Sequence, residues 1–251
     1  MNNTIAMSFL LTFIAGFSTM IGTILIFLKF KNIDKLICGS LAFASGVMMI
    51  VSITDLIPES LTLLKKGFSP FFTILLCLIF IILGIIISML MDYYLPDNKT
   101  ISNNGLYRVG IISMLAIILH NIPEGIATFM AGNSDKSLAI TLTIAIALHN
   151  IPEGISIAVP IYYSTKSRAK AILYTLISAL SEPFGALLAY LFLSRFVSDS
   201  FLGILFAIIA GIMMQISLCE LLPTSKKYNY NKLTTIFFIV GVIFILIKFV
   251  I

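Results

Sequence analysis

His120-Asn121-Ile122-Pro123-Glu124-Gly125 recurs as His149-Asn150-Ile151-Pro152-Glu153-Gly154, and each copy sits inside a long apolar run, 107–131 and 138–163. A helix that crosses a bilayer needs about 20 predominantly apolar residues, so both runs read as membrane spans. Working outward, six more runs of that length lie at 5–28, 36–60, 70–94, 170–196, 200–224 and 233–250. Short polar breaks separate them, among them Lys29–Lys35, Lys65–Ser69, Pro96–Gly105 and Lys226–Lys232. The composition agrees: of 251 residues, 59% are hydrophobic and 11% charged, with a mean hydropathy of +1.09. A soluble domain carries about 25% charged residues. That excludes an ordinary soluble enzyme, a disordered chain and a nucleic-acid binder. Lipid offers no partner to backbone N–H and C=O groups, so apolar spans of this length are helices. The expected fold is an all-α polytopic membrane protein of eight transmembrane helices, with 1–251 forming a single transmembrane domain.

The charges set an expected orientation. Eleven of the 16 Lys and Arg residues fall in the odd-numbered loops. The positive-inside rule puts those loops in the cytoplasm and both termini outside, in a multi-pass cell-membrane protein. The net charge of +5 is then a matter of topology. No basic region precedes Ile5–Leu28, so this stretch reads as a first span and not as a removable leader. Cys38, Cys77 and Cys219 lie in apolar runs at unrelated spacings. They read as small core residues, not as a disulfide framework.

A second repetition concerns spans 2 and 7. Gly46, Ser52, Asp55 and Pro58 recur as Gly211, Ser217, Glu220 and Pro223, at a constant offset of 165 residues (46 to 211). Span 2 enters from the cytoplasm and span 7 from outside, so the copies run in opposite directions. Inverted repeats of this kind mark alternating-access transporters. Small residues recur every four positions at Cys38, Ala42 and Gly46, and at Gly203, Ala207 and Gly211, which permits close helix packing.

The hexapeptides carry the chemistry. His and Glu at i and i+4 share one helix face, and Asn at i+1 stands three residues before the Glu. Each copy therefore offers an imidazole, an amide oxygen and a carboxylate towards one locus. Pro123 and Pro152 donate no hydrogen bond and are expected to kink the helix beside these groups. At about 1.5 Å per residue, both motifs sit near mid-membrane on adjacent antiparallel spans. Span 6 adds Glu182 beside Pro183 at a comparable depth. A carboxylate there costs roughly 2.5–3.5 kcal/mol. His120, Asn121, Glu124, His149, Asn150, Glu153 and Glu182 form an N/O set suited to a divalent transition metal. Seven groups exceed what one tetrahedral zinc needs, so two metals with bridging carboxylates are expected. Asp55 and Glu220 read as acids at opposite mouths that attract cations. Met48 could offer a thioether, although core packing explains its spacing better.

At these residues the chain resembles the ZIP family of zinc- and iron-regulated transporters, particularly its ZupT-like bacterial branch. The resemblance covers essentially the whole chain. It implies that the seven residues match a two-metal transport site bridged by Glu124 and Glu153, and that Met48 and Asp55 match entrance positions. It also implies metal movement into the cytoplasm, an elevator-like motion of the site-bearing helices, and, as in many members, a homodimer. One departure stands out. The loop between spans 3 and 4, often long and His-rich in the family, is short here and has no histidine.

The expected function is uptake of divalent cations through the lipid bilayer, zinc preferred, with iron, manganese, cobalt or cadmium as further cargo. No prosthetic group, catalytic residue or nucleic-acid partner is expected. The alternative is an intramembrane metal-dependent hydrolase, or a metal sensor. No His-Glu-x-x-His occurs, and no soluble output domain is present in the sequence. Protons and metal compete for crowded carboxylates. Metal loading should therefore expel protons and acid should weaken uptake; flux that shows no loss down to about pH 5 would contradict this.

Overall fold

The computed structural model describes residues 3–94, 105–134, 136–193 and 198–247, and the regular structure among them is helical throughout. Span 1 is an α-helix over Asn3–Ser18 that tightens into a 3-10 helix over Thr19–Phe27. Span 2 joins Ile33–Val51 to Ile57–Leu64 through a π-helical turn at Ser52–Leu56. Spans 3, 4 and 5 are Pro70–Tyr94, Leu106–Ser134 and Lys136–Thr165. Span 6 is Arg168–Leu188 with a π turn at Ala189–Leu193. Span 7 joins Asp199–Gln215 to Leu222–Lys226 through a π turn at Ile216–Leu221, and span 8 is Asn231–Leu246. Seven of these are long and apolar enough to cross a membrane, and the eighth is a shorter apolar helix. The ends expected for spans 6 and 8, and most of the Pro96–Gly105 loop, lie outside the described residues.

Polar residues mark the helix boundaries. The side chains of Asn32, Ser167 and Ser198 accept hydrogen bonds from the backbone N–H of Lys35, Lys170 and Phe201, capping spans 2, 6 and 7. Asn229, at φ 61°, takes the left-handed conformation that ends span 7. Spans 4 and 5 continue as α-helix through Pro123, Pro152 and Pro160. Outward faces are apolar: span 3 has the highest hydropathy of the seven, 3.2, yet only 17% of that window is buried. Such a helix is at home only in lipid.

The described chain divides into two compact units: Met1–Lys29 with Ser113–Phe196, and Phe30–Ile112 with Val197–Ile251. The second unit contains the repeat of spans 2 and 7, and its contacts are reciprocal. Ser60 Oγ donates to the Gly203 carbonyl at 2.7 Å, and Ser225 Oγ donates to the Cys38 carbonyl at 2.7 Å. Ser45 and Ser217 each donate to the other's carbonyl, at 2.9 and 2.8 Å. The contacts pair 38 with 225, 45 with 217 and 60 with 203, so the two spans lie antiparallel, as an inverted repeat requires. The π turns at Ser52–Leu56 and Ile216–Leu221 occupy matching positions. A Cβ added at Gly46 would collide with the Phe238 carbonyl, and one at Gly211 with that of Ile81. Span 8 thus packs on span 2 as span 3 packs on span 7.

The three cysteines do not all take the core positions that their apolar runs suggest. Cys38 and Cys77 are buried, but Cys219 is exposed. It lies on the π turn beside the outward-facing Leu218, 42% exposed. An apolar run does not distinguish lipid-facing positions from core ones, and here the lipid side prevails.

Overpacking a close helix contact costs about 1–3 kcal/mol. Gly211→Leu should therefore lower the thermal unfolding midpoint in detergent, followed by circular dichroism. Ile243→Val, on an exposed apolar surface, should leave it nearly unchanged.

Candidate metal centre

All seven of the intramembrane residues singled out from the sequence lie in the first unit, on spans 4, 5 and 6. Helical spacing does what the motif predicts: His120 Nε2 stands 3.2 Å from Glu124 Oε1, its i+4 neighbour. Packing of spans 4 and 5 then joins the copies. His149 Nε2 lies 3.2 and 3.4 Å from the two oxygens of Glu124, and His120 Nε2 lies 3.6 Å from Glu153 Oε1. The imidazole centroids are 5.9 Å apart. Ligand atoms of His120, Glu124 and His149 all fall within 4.8 Å of one another. Glu182 reaches the same locus from span 6, its Oε2 accepting a 2.9 Å hydrogen bond from Asn150 Nδ2.

These groups are dehydrated. None of the seven residues is more than 6% exposed. Several of their atoms have no hydrogen-bond partner: His120 Nδ1, the amide oxygens of Asn121 and Asn150, both oxygens of Glu153 and Oε1 of Glu182. His120 Nε2 is close to Glu124, but it is not aligned for a hydrogen bond. The ion pairs these carboxylates make among the described residues are with imidazoles alone. Buried polar atoms are almost always partnered, and a buried carboxylate without countercharge is expensive. A cluster of orphaned oxygens and imidazole nitrogens satisfies both demands when it holds a divalent cation. Softness agrees, since imidazole with carboxylate suits zinc, iron and their neighbours.

The elements beside the cage repeat as well. Asn150 Nδ2 donates to the Ala15 carbonyl of span 1 at 3.0 Å, and Asn121 Nδ2 donates to the Ser178 carbonyl of span 6 at 3.4 Å. Ser18 and Ser181 cap those same two carbonyls, each at 2.6 Å. One pseudo-dyad therefore exchanges span 4 with span 5 and span 1 with span 6. The last residue of each hexapeptide is where the neighbouring helix touches. A Cβ at Gly125 would collide with the Glu182 carbonyl, and one at Gly154 with that of Thr19. Neither glycine stands out as a functional residue from the sequence. Their signal lies in the motif itself, since a glycine repeated one residue after the carboxylate marks a close backbone approach.

The other three candidates lie in the second unit. Met48 is fully buried. Asp55 is half-buried on the π turn of span 2, where it accepts a 2.8 Å hydrogen bond from Thr54. Glu220 shares a hydrogen bond with Asp92, whose carboxylate lies 2.7 Å from Arg108. In the sequence, Arg108 figures only as a topology charge; its pairing with Asp92 needs the packing of spans 3 and 4 to become visible.

Comparison with known proteins gives the arrangement its family. A family model described as "ZIP Zinc transporter" matches residues 96–248. The chain is 39% identical to the zinc transporter ZupT of Clostridium perfringens, covering 96% of this chain and 94% of that protein. It is 38% identical to the ZupT of Streptococcus mutans, over 90% of each chain. With the ZupT of Campylobacter jejuni the identity is 37%, over 90% of this chain and 89% of that one. The chain belongs to the ZIP family. Within the ZIP fold, then, the His-Asn-x-Pro-Glu-Gly pair lies at a crossing of helices that its glycines allow to approach.

Loss of a group that orients metal ligands costs about 10–100-fold in affinity. Gly125→Leu, which pushes the Glu182 backbone away, should weaken Zn2+ binding by a factor in that range, measured by isothermal titration. Its helical circular dichroism should stay near wild type.

Proposed function

We propose that this protein carries divalent transition-metal cations, zinc foremost, into the cytoplasm by alternating access. The cargo is held by His120, Asn121, Glu124, His149, Asn150, Glu153 and Glu182. The observation that carries this reading is the buried cage, in which imidazoles and carboxylates converge with orphaned ligand atoms and no Lys or Arg countercharge among the described residues. The zinc-transporter names of the relatives supply the cargo. Glu124 faces both imidazoles and is suited to bridge two cations, with Glu182 and Asn150 on one flank. Iron, manganese, cobalt and cadmium fit the same N/O donors.

The whole cage belongs to one unit. That unit can move its cargo without dismantling the ligand set, which suits an elevator-like cycle. Both termini face outward in this reading, supported by the distribution of Lys and Arg. Asp55 and Glu220, equivalent positions of the inverted repeat, serve as acids that draw cations near the two faces. A hydrolase is not favoured. A metal-bound water would need a further nucleophile-orienting or oxyanion-donating group, and the inverted repeat has no part in such chemistry.

Purified protein in liposomes loaded with a zinc-sensitive dye tests the proposal. Zn2+ should enter down its gradient. Glu124→Ala or Glu153→Ala should abolish the flux, and Lys65→Ala should preserve it. Wild-type protein that binds Zn2+ yet moves none would overturn the transport reading.

A further inference from the structure

The pseudo-dyad of the first unit leaves one position unmatched. It carries Gly16 to Ala179, Ser18 to Ser181 and Gly22 to Gly185, preserving small residues and one hydroxyl. The same shift carries Thr19 to Glu182. The correspondence is structural as well as numerical. Gly125 abuts the Glu182 carbonyl, and Gly154 abuts that of Thr19. Asn150 reaches the carbonyl of Ala15, one turn before Thr19, and Asn121 reaches that of Ser178, one turn before Glu182. Thr19 thus holds the place on span 1 that the site carboxylate holds on span 6.

Its hydroxyl behaves unusually. Buried Ser and Thr residues on these spans mostly turn their hydroxyls onto a carbonyl three or four residues back, as Thr12, Ser18, Thr175 and Ser181 do. Thr19 is fully buried, and its Oγ1 has no hydrogen-bond partner. On the other side of the dyad, Glu182 and Asn150 are joined at 2.9 Å. The corresponding residues are Thr19 and Asn121: Asn121 Nδ2 donates to the Ser178 carbonyl, Thr19 Oγ1 has no partner, and Asn121 Oδ1, like Asn150 Oδ1, has none either. Ser113, Thr128 and Ser178 also have orphaned hydroxyls, but none of them is the dyad image of a site carboxylate.

We infer that Thr19 is an additional residue of the cation site, its hydroxyl and the amide oxygen of Asn121 forming a neutral oxygen-donor pair on the half of the cage that the dyad relates to Glu182 and Asn150. The inference rests on the transport reading given above and extends its ligand set to span 1. The asymmetry has a physical consequence. A fully symmetric cage would carry a fourth carboxylate; Thr19 removes that charge but keeps an oxygen. A transporter must bind its ion well enough to load and loosely enough to release it, and a neutral donor on one side keeps the cargo releasable.

Zn2+ affinity by isothermal titration and Zn2+ flux in liposomes test this together. Thr19→Val keeps the shape and loses the hydroxyl; it should weaken affinity and raise KM about tenfold, with little change in kcat. Thr19→Ser, which restores the hydroxyl, should recover most of that loss. Thr19→Glu should tighten binding and lower kcat, the opposite split. Thr19→Val matching wild type in affinity and KM, or Thr19→Ser falling as far as Thr19→Val, would overturn the assignment. Glu124→Ala separates the two levels. If it too binds Zn2+ like wild type, the cage reading fails; if it loses binding while Thr19→Val does not, only the role of Thr19 fails.

Discussion

Carboxylates taken out of water with no Lys or Arg paired to them among the described residues are the constraint around which the first unit is built. Glu124, Glu153 and Glu182 are almost wholly buried; among the described residues Glu124 and Glu153 pair with His120 and His149, and Glu182 accepts a hydrogen bond from Asn150. Imidazole is weak compensation, because it is charged only when protonated. Two divalent cations would bring four positive charges to three carboxylates and occupy the orphaned lone pairs as well. In the proposed transport cycle such loading would relieve the polar cost of the buried cluster.

Close helix crossings make that cage available. Gly125 and Gly154 remove the side chains that would hold spans 6 and 1 away, and Asn121 and Asn150 donate to carbonyls one turn earlier on those spans, Ser178 and Ala15. Each device appears twice because the unit is built on a pseudo-dyad. The second unit uses the same economy, with Ser60 and Ser225 reaching across to Gly203 and Cys38. Serine hydroxyls satisfied on backbone carbonyls let helices approach in an apolar setting without stranding a donor. Departures from the symmetry are then informative, and Thr19 against Glu182 is the sharpest of them.

Much of this was legible in one dimension. Hydropathy and length placed the spans, and the regular i, i+4 spacing put His120 with Glu124. The repeated hexapeptide announced a shared site, and the Gly46–Pro58 motif announced an inverted repeat. Other features were not legible. Cys219 looks like Cys38 in composition, but one faces outward and the other is buried. Arg108 counts as a topology charge until its pairing with Asp92 is seen. Thr19, in an apolar segment with no repeated signature of its own, gains meaning only through its place on the dyad.

What the chain's sequence determined alone was everything governed by local periodicity: helices, their apolar length, and the imidazole and carboxylate that share one face within a motif. Which face of each helix meets lipid and which meets another helix was decided by packing. So were the approach of His149 to Glu124, the arrival of Glu182 beside Asn150 and the division into two units. The reason is physical. In a chain that is apolar on every side, hydropathy carries no record of which neighbour each surface will find, and shape complementarity at glycines and serines makes that choice.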